Sequence, residues 1–426
     1  MKDCDNQAAR DPNSVCFITQ TGAVGGVAIH TMRLMEALLS RGYRIELIQC
    51  RYHGFDSWHE GLASTARKAV SILHVGFHVN APPGAWRPVM GALNSATLIF
   101  PKGGNFMGGI GLLRLWRRTF SHLYFIEHLE APPVPERSSA RYFGVIPGLG
   151  LWWYKRWLTH KVRAWYANRL VDRIIAVSEK VKGRLLEDWQ YTPGKIVVVR
   201  NGVYWQHFIR DEERGHACRV RCDIPSDGFV FGMVTRLSEE KGIDIALRAL
   251  RYAMDSVLGR RPYLLIAGGG PQANELQALS AALGVDENVR FIGFISDVRD
   301  VLFASDVILF SSRLEGLPLG LLEGMAAGCV PVVTQVSGMP EVVDSSEIGF
   351  VVSPESPVEL GEAMKNVMTL DRDAFERLRN NAVQRVRENF DAAKSYVAIL
   401  DVCGLRGEQK ASVESLNICT QQSDRS

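Results

Sequence analysis

In the stretch EGLPLGLLEGMAAGCVPVVT (315–334), Glu315 and Glu323 stand eight positions apart with only apolar residues and glycine between them. A charge in such surroundings is costly unless it is paired or hydrogen-bonded. Either both carboxylates point to solvent at the top of a sheet, or both await a polar ligand. Carboxylates accept hydrogen bonds from vicinal hydroxyls, which sugars and ribose both present. Upstream, TRLSEEKGIDIAL puts Arg236 and Lys241 on a loop leaving an apolar run. They form a bidentate and a point-charge donor suited to a diphosphate. The alternative is a helix start with Ser238 as N-cap and acids in the first turn; capping leaves Arg236 unused. GGGPQANEL follows another apolar run, and its glycines, Gly269 among them, let a backbone approach a ligand closely. A helix expected from about Pro318, a favoured first position, offers the N–H groups of Leu319, Gly320 and Leu321 to phosphates. Together these groups suit a nucleotide-diphosphate-sugar.

The first half of the chain carries weaker marks. TGAVGGVAIH (21–30) has Gly22, Gly25 and Gly26, a spacing that does not match GxGxxG. YFIEHLEAPP (124–133) ends a strand-like run with Glu127, His128 and Glu130. A histidine at a strand end is most often structural; in a cleft between domains it becomes an active-site candidate. Asp371 and Asp373 in LDRDAF lie in a late helical region and read as a helix cap, not a metal site. Cys218 and Cys222 are four apart, and no second pair completes a zinc site. No metal and no cofactor is expected.

The elements that must position these residues alternate along the chain. SVCFIT, YRIELIQC, SILHVGF, ATLIF, HLYFIEHL, RIIAVS and KIVVVRNGV read as strands of one series. FVFGMV, PYLLIAGGG, VRFIGF, DVILFSS, CVPVVT and GFVVSP read as a second. Apolar runs separated by helical patterns mark βαβ units and parallel sheets. The expected organisation is a first domain over 1–203, a linker over 204–226 and a second domain over 227–390. A helix at 391–405 returns to the first domain, and a disordered tail occupies 406–426. The length of 426 residues is comfortable for two domains, and 46% hydrophobic with 22% charged residues fits a soluble enzyme. A net charge of +3 argues against nucleic acid as a partner. The polar start MKDCDNQAARDP lacks a signal-peptide core, and no run reaches a membrane-span length. With eight scattered cysteines, a cytoplasmic location, peripheral to a membrane at most, is expected.

The Glu-x7-Glu block EGLPLGLLE followed by GMAAGCVPVV resembles the signature of the retaining family 4 glycosyltransferases. TRLSEEKG, RNGV, AVSE and the early GGV stand in that family's order, so the resemblance covers roughly residues 14–400. It implies the GT-B fold: two Rossmann-like, doubly wound domains facing a cleft, with the donor held mainly by the second. Carried over, Glu323 would bind the donor ribose, and Arg236 and Lys241 the diphosphate. Glu315 would contact the transferred sugar and His128 would lie near its ring; these two are the expected catalytic residues, with Glu127 as a substitute for His128. Gly25 and Gly26 would approach the donor phosphate from the other domain. The implied reaction moves a sugar to a hydroxyl of a glycan or lipid-linked acceptor with retention, the leaving diphosphate helping to deprotonate that hydroxyl. Thr235 and Gly324 depart from a frequent Gly and Ala of the family.

An alternative within the same fold is a nucleotide-sugar 2-epimerase, which would need further acid and base groups around the sugar. A basic, tryptophan-rich stretch (141–170) expects a helix from about 150 with Leu151, Leu158, Val162 and Trp165 on its core face. Trp152, Trp153, Trp157, Arg156 and Arg163 lie off that stripe, a mixture suited either to an anionic membrane surface or to a helix packed on the domain with a charged outer side. GGIGLLRLWRRTF (108–120) is a second segment of this kind.

Overall fold

The computed structural model describes residues 10–19, 26–50, 69–102, 110–128, 162, 164–187, 190–254 and 261–407. They form two compact units: one runs up to Val199 and resumes at Tyr396, and the other is Arg200–Ser395.

The first unit is built on β1 (Asp11–Thr19), β2 (Arg44–Cys50), β3 (Val70–Val75), β4 (Ser95–Lys102), β5 (His122–Glu127), β6 (Arg173–Ala176) and β7 (Ile196–Val198). The order is β3-β2-β1-β4-β5-β6-β7, with every pairing parallel. The second unit has β8 (Phe229–Val234), β9 (Pro262–Ala267), β10 (Val289–Gly293), β11 (Val307–Phe310), β12 (Val330–Thr334) and β13 (Phe350–Val352). Its order is β10-β9-β8-β11-β12-β13, again wholly parallel. Each expected strand run overlaps one of these thirteen strands. The runs are readable because central strands of parallel sheets are buried on both faces and therefore nearly all apolar; β9 and β12 are buried throughout.

The stretch 204–226 departs from the expected linker. It holds a 3-10 turn at Trp205–Phe208 and a helix at Glu212–Arg221, both within the second unit. Asp211 caps that helix by accepting from Arg214 N at 3.0 Å. Arg214 pairs with Asp297 and Asp300, and Arg219 pairs with Asp306 at 3.0 Å and donates to Ala304 O at 2.8 Å. The segment lacks an apolar stripe because arginines, not leucines, attach it to the 297–306 segment. Residues 200–203, expected in the first domain, also belong to the second unit, where Val203 pairs with Asp391. The last helix is Ala392–Val402, and its residues from Tyr396 onward belong to the first unit. Most of the 406–426 tail lies outside the described residues.

The tryptophan-rich stretch lies largely outside them too, including Trp152, Trp153, Arg156, Trp157 and Arg163. Where it is described, the expected core face is corrected. Trp165 is 52% exposed with the Arg169 guanidinium over its ring, while Ala164 and Ala167 are buried. The two alanines fit a close approach that a tryptophan would block. In the second basic segment, the helix Ile110–Thr119 buries Leu112, Leu113 and Trp116 in the core. Its Arg117 pairs with Asp172 at 2.8 Å. Its apolar face is therefore used internally. Among the described residues no helix is long and apolar enough to cross a membrane.

Candidate functional site

In the second unit the strand order reverses between β8 and β11. Doubly wound sheets bind ligands outside the carboxyl ends of their strands at such a switch point. After β8 come Thr235–Ser238, a 3-10 turn at Glu239–Lys241, and Gly242; after β11 come 311–318 and the helix Leu319–Ala326. Ser238 makes no side-chain capping bond to the turn. Gly242 has φ +60°, and a Cβ there would lie 2.1 Å from Ser311 O. The two loops thus meet at a position that only glycine fills without strain.

Lys241 and Glu315 face each other across this junction. Lys241 Nζ lies 2.7 Å from Glu315 Oε1, and Ser312 Oγ donates to the same oxygen at 2.9 Å. Glu315 is only 4% exposed, so its carboxylate is buried but paired. The charge that the apolar surroundings make costly is met by Lys241 from the neighbouring loop. Lys241 is therefore engaged by protein rather than held open for a diphosphate. Arg236 stands differently: its side chain is 60% exposed and pairs with Glu240 at 2.5 Å. Such exposed pairs contribute little, so an arriving anion can draw the guanidinium away cheaply. Burial pushes the Glu240 carboxyl up, but bonds from Ser238 and Arg236 outweigh it and hold it below its ordinary range.

The helix Leu319–Ala326 starts with Pro318 as its N-cap residue, one position later than the sequence suggests. A Cβ at Gly320 would sit 3.3 Å from Val234 O, so the helix start lies against the end of β8. Glu323 is buried on this helix. Asn201, from RNGV, donates from Nδ2 to Leu317 O at 2.7 Å and steadies the approach to the helix. Gly324, where the family often has alanine, is explained by Ile308: a Cβ would lie 2.6 Å from its Cγ1.

The triple glycine after β9 serves packing first. A Cβ at Gly268 would meet Thr235 O at 1.8 Å, and one at Gly270 would meet Leu237 O at 2.3 Å. At Gly269 the nearest atom to a Cβ is Phe294 Cβ at 3.9 Å. Gly269 O accepts from Leu237 N at 2.9 Å. Phe294, just beyond β10, is 65% exposed and gives this edge a flat aromatic face that the sequence did not mark.

Arg313 was also unmarked. It donates from Nη1 to Glu239 O at 2.8 Å and to Asp244 Oδ1 at 2.8 Å. Nη2 donates to Asp244 Oδ2 at 2.9 Å and Glu355 Oε2 at 3.1 Å, and Nε donates to Glu355 Oε1. Bonding to Arg313 is the largest cause holding the Asp244 carboxyl below its ordinary range. A lone arginine between serines and a leucine gives no sequence signal of such a role, because its partners lie on distant loops.

In the first unit, His128 follows β5 directly and is buried beside Glu127 in sequence. Its ring meets that of His30 edge-on at 4.6 Å, and His30 contacts Tyr396 at 5.4 Å. Burial pushes His128 down to about 4. Burial, then His128, pushes His30 well below its ordinary value. Both rings are neutral near pH 7. His30 sits in an apolar helical pattern, VAIHTM, which reads as core and conceals it. Gly26 opens the helix Gly26–Leu39 with open space where a Cβ would be; Gly25 lies outside the described residues.

Two remaining features are structural. Asp371 caps the helix Arg372–Asn389, accepting from Ala374 N at 2.7 Å. A cavity of about 430 Å³ at the far end of the Leu319–Ala326 helix is lined by Arg210, Arg379 and Arg387. Arg210 and Arg379 donate to Ala327 O and Gly328 O there, satisfying the carbonyls at and just past the helix's C-cap.

Comparison with known proteins gives two family matches: Glycosyltransferase Family 4 over residues 24–204, and Glycosyl transferases group 1 over residues 219–387. An uncharacterised glycosyltransferase of Methanocaldococcus jannaschii is 30% identical over 51% of this chain and 56% of its own length. A D-inositol 3-phosphate glycosyltransferase of Streptomyces scabiei is 29% identical over 44% of each. The chain thus spans about half the length of these two curated relatives. An Escherichia coli UDP-Gal:alpha-D-GlcNAc-diphosphoundecaprenol alpha-1,3-galactosyltransferase is 24% identical over 68% of this chain and 78% of its own. Among solved structures, Anabaena HepE with UDP and glucose aligns with a TM-score of 0.70 at 18% identity, covering 92% of this chain and 99% of its own. WaaG, a glycosyltransferase involved in lipopolysaccharide biosynthesis, aligns with a TM-score of 0.67 at 18% identity, covering 91% and 99%. With its two Rossmann-like units, the chain has the GT-B fold.

Proposed function

We infer that this chain, whose halves match Glycosyltransferase Family 4 and Glycosyl transferases group 1, is a glycosyltransferase of the GT-B class. It takes a nucleotide-diphosphate-sugar in its second unit and passes the sugar, with retention, to a hydroxyl of a glycan or lipid-linked acceptor. The observation that carries this reading is the buried Lys241–Glu315 pair at the β8/β11 switch point. Among the described residues both bonds to Glu315 use Oε1, and Oε2 is the oxygen that accepts from a sugar hydroxyl. Glu323 accepts from the ribose hydroxyls. Arg236 leaves Glu240 for the diphosphate, joined by the helix start at Leu319 and Gly320. Phe294 offers a stacking face to the base.

The bond between the anomeric carbon and the diphosphate oxygen breaks, and the acceptor oxygen bonds to that carbon on the same face. The acceptor proton passes to the departing diphosphate. The protein's work is to stabilise that anion, through Arg236 and the helix start. Neutral His128 donates or accepts one hydrogen bond at the sugar. Neither metal nor cofactor is required. The named acceptor of the E. coli relative is diphosphoundecaprenol-linked, which supports a lipid-linked acceptor and, with the basic aromatic 150–170 segment, a peripheral place on an anionic membrane. Both matched descriptions are of glycosyl transfer, so the epimerase alternative is not favoured.

The test is a panel of UDP- and GDP-sugars with a polyprenyl-diphosphate-glycan acceptor, in EDTA. Acceptor-dependent release of nucleoside diphosphate, with the anomeric configuration kept by NMR, is expected. Turnover that needs added manganese or magnesium, or an inverted product, overturns the respective part. Flotation with anionic vesicles at low salt tests the membrane arm; a chain left in the soluble fraction refutes it.

A further inference from the structure

We propose that Arg313 is a positioning residue that sets the distance between Lys241 and Glu315, and through it the presentation of Glu315 to the sugar. The proposal rests on the donor site just described. A guanidinium has five N–H donors in a fixed fork, and Arg313 has five acceptors: Glu239 O, both oxygens of Asp244 and both of Glu355. Its own N–H donates to Glu240 O at 2.8 Å, and Leu314 N donates to the same oxygen at 3.2 Å. Every donor of the side chain is spent on protein, so the group is a fastener rather than a ligand contact.

What it fastens is specific. Glu239 and Asp244 flank Lys241 in sequence, and Arg313 precedes Glu315 by two residues. The loop after β8 and the loop after β11 are therefore pinned on both sides of the 2.7 Å Lys241–Glu315 contact. Glu355 ties in a third loop, after β13, and holds φ +59° to do so. A non-glycine residue in the left-handed region is strained; Glu355 carries that strain while both its carboxylate oxygens accept from Arg313. The pins lie at the carboxyl ends of the strands, beside the site and outside the apolar core cluster.

A lysine cannot reproduce a five-donor planar fork. Arg313→Lys and Arg313→Met should therefore behave alike. Each should lower kcat about tenfold to a hundredfold, the scale expected when a group is displaced by about 1 Å. Affinity for the nucleoside diphosphate alone, read by calorimetry, should stay within about threefold, since Arg236 and Glu323 are untouched. The decisive arm is a cycle with Glu315→Gln: if Arg313 acts through Glu315, Arg313→Met costs no further kcat in that background. Additive losses, or rescue by lysine, overturn the proposal. Asp244→Asn and Glu355→Gln give the same cycle if the arginine variants fold poorly.

Hydrogen exchange separates the clamp from the functional reading. Arg313→Met should speed exchange in peptides over 239–244 and 311–316 while β9 and β12 keep their protection. Unchanged exchange in those loops refutes the clamp whatever the activity. A wild-type chain that turns over no nucleotide-sugar refutes the functional reading, and the exchange result then decides the clamp alone.

Discussion

Lys241→Met removes the charge that faces Glu315 while keeping most of the side chain's volume. The side chains of the pair are 16% and 6% exposed, with a separation of 2.7 Å. At an effective dielectric of about 20, unit charges at that distance attract by roughly 6 kcal/mol. Desolvating the two ions costs several kcal/mol each, so the pair as a whole is near balance. Removing one partner is not near balance. It strands Glu315 among Ser312 and apolar neighbours at a cost of about 3–5 kcal/mol, reduced somewhat because Ser312 still donates to Oε1. Urea unfolding read by hydrogen exchange over peptides from β8 to β13 reports this unit by itself. The expected loss is about 3 kcal/mol. The double variant Lys241→Met/Glu315→Leu should recover most of it, because no buried charge remains. A single variant within about 1 kcal/mol of wild type would show the carboxylate to be well solvated and the burial argument to be mistaken. So would a double variant no better than the single.

Glu323→Ala should weaken nucleoside-diphosphate binding about tenfold or more, the scale of one charge-assisted hydrogen bond; calorimetry giving an unchanged Kd removes Glu323 from the ribose. Gly324→Ala should destabilise the second unit by about 1–3 kcal/mol, because the new methyl meets Ile308 at 2.6 Å; an unaltered Tm refutes the packing account. The first unit should lose stability in acid. Free histidine takes up a proton near pH 6.5, whereas buried His128 does so only near 4, and burial likewise holds His30 well below its ordinary value. Between those values the unfolded chain binds more protons, so stability is full above about 6.5 and falls as the pH drops towards 4. Tm measured from pH 7.5 to 4.5 should slope downward, and His128→Gln should flatten part of that slope; an equal slope in both proteins sinks the assignment.

Strands were legible because burial on both faces leaves an apolar signature within each segment. The 204–226 stretch was not, because what holds it is long-range: Arg214 and Arg219 find Asp297, Asp300 and Asp306 on a segment far along the chain. The same division runs through the site. Glu315, Glu323, Arg236 and Lys241 announce themselves by type and spacing. That Lys241 is already committed to Glu315 is a fact of two loops meeting, which spacing does not encode. Arg313 is the extreme case, since each of its five bonds reaches a residue at least 42 positions away. His30 was hidden for the opposite reason: its local pattern is that of an ordinary core position, and only the neighbouring ring of His128 gives it meaning.

The two sheets share the strand order 3-2-1-4-5-6, to which the first adds a seventh strand at its edge, yet their carboxyl ends differ in kind. At the ends of β8 and β11 the described side chains are charged: Arg236, Glu240, Lys241, Arg313 and Glu315. At the end of β5 they include His128, which with His30 is kept neutral by burial. A diphosphate gains most where an available cation and a helix start can gather around it; among the described residues the first setting supplies both, in Arg236 and the start of the Leu319–Ala326 helix. Neutral imidazoles add no charge; they suit a hydroxyl, to which each ring can give or from which it can take one hydrogen bond. Topology alone would allow a nucleotide at either sheet. Under the proposed function, the charged end of the donor belongs with the second unit, and the first unit's histidines are left for uncharged, hydroxyl-bearing chemistry.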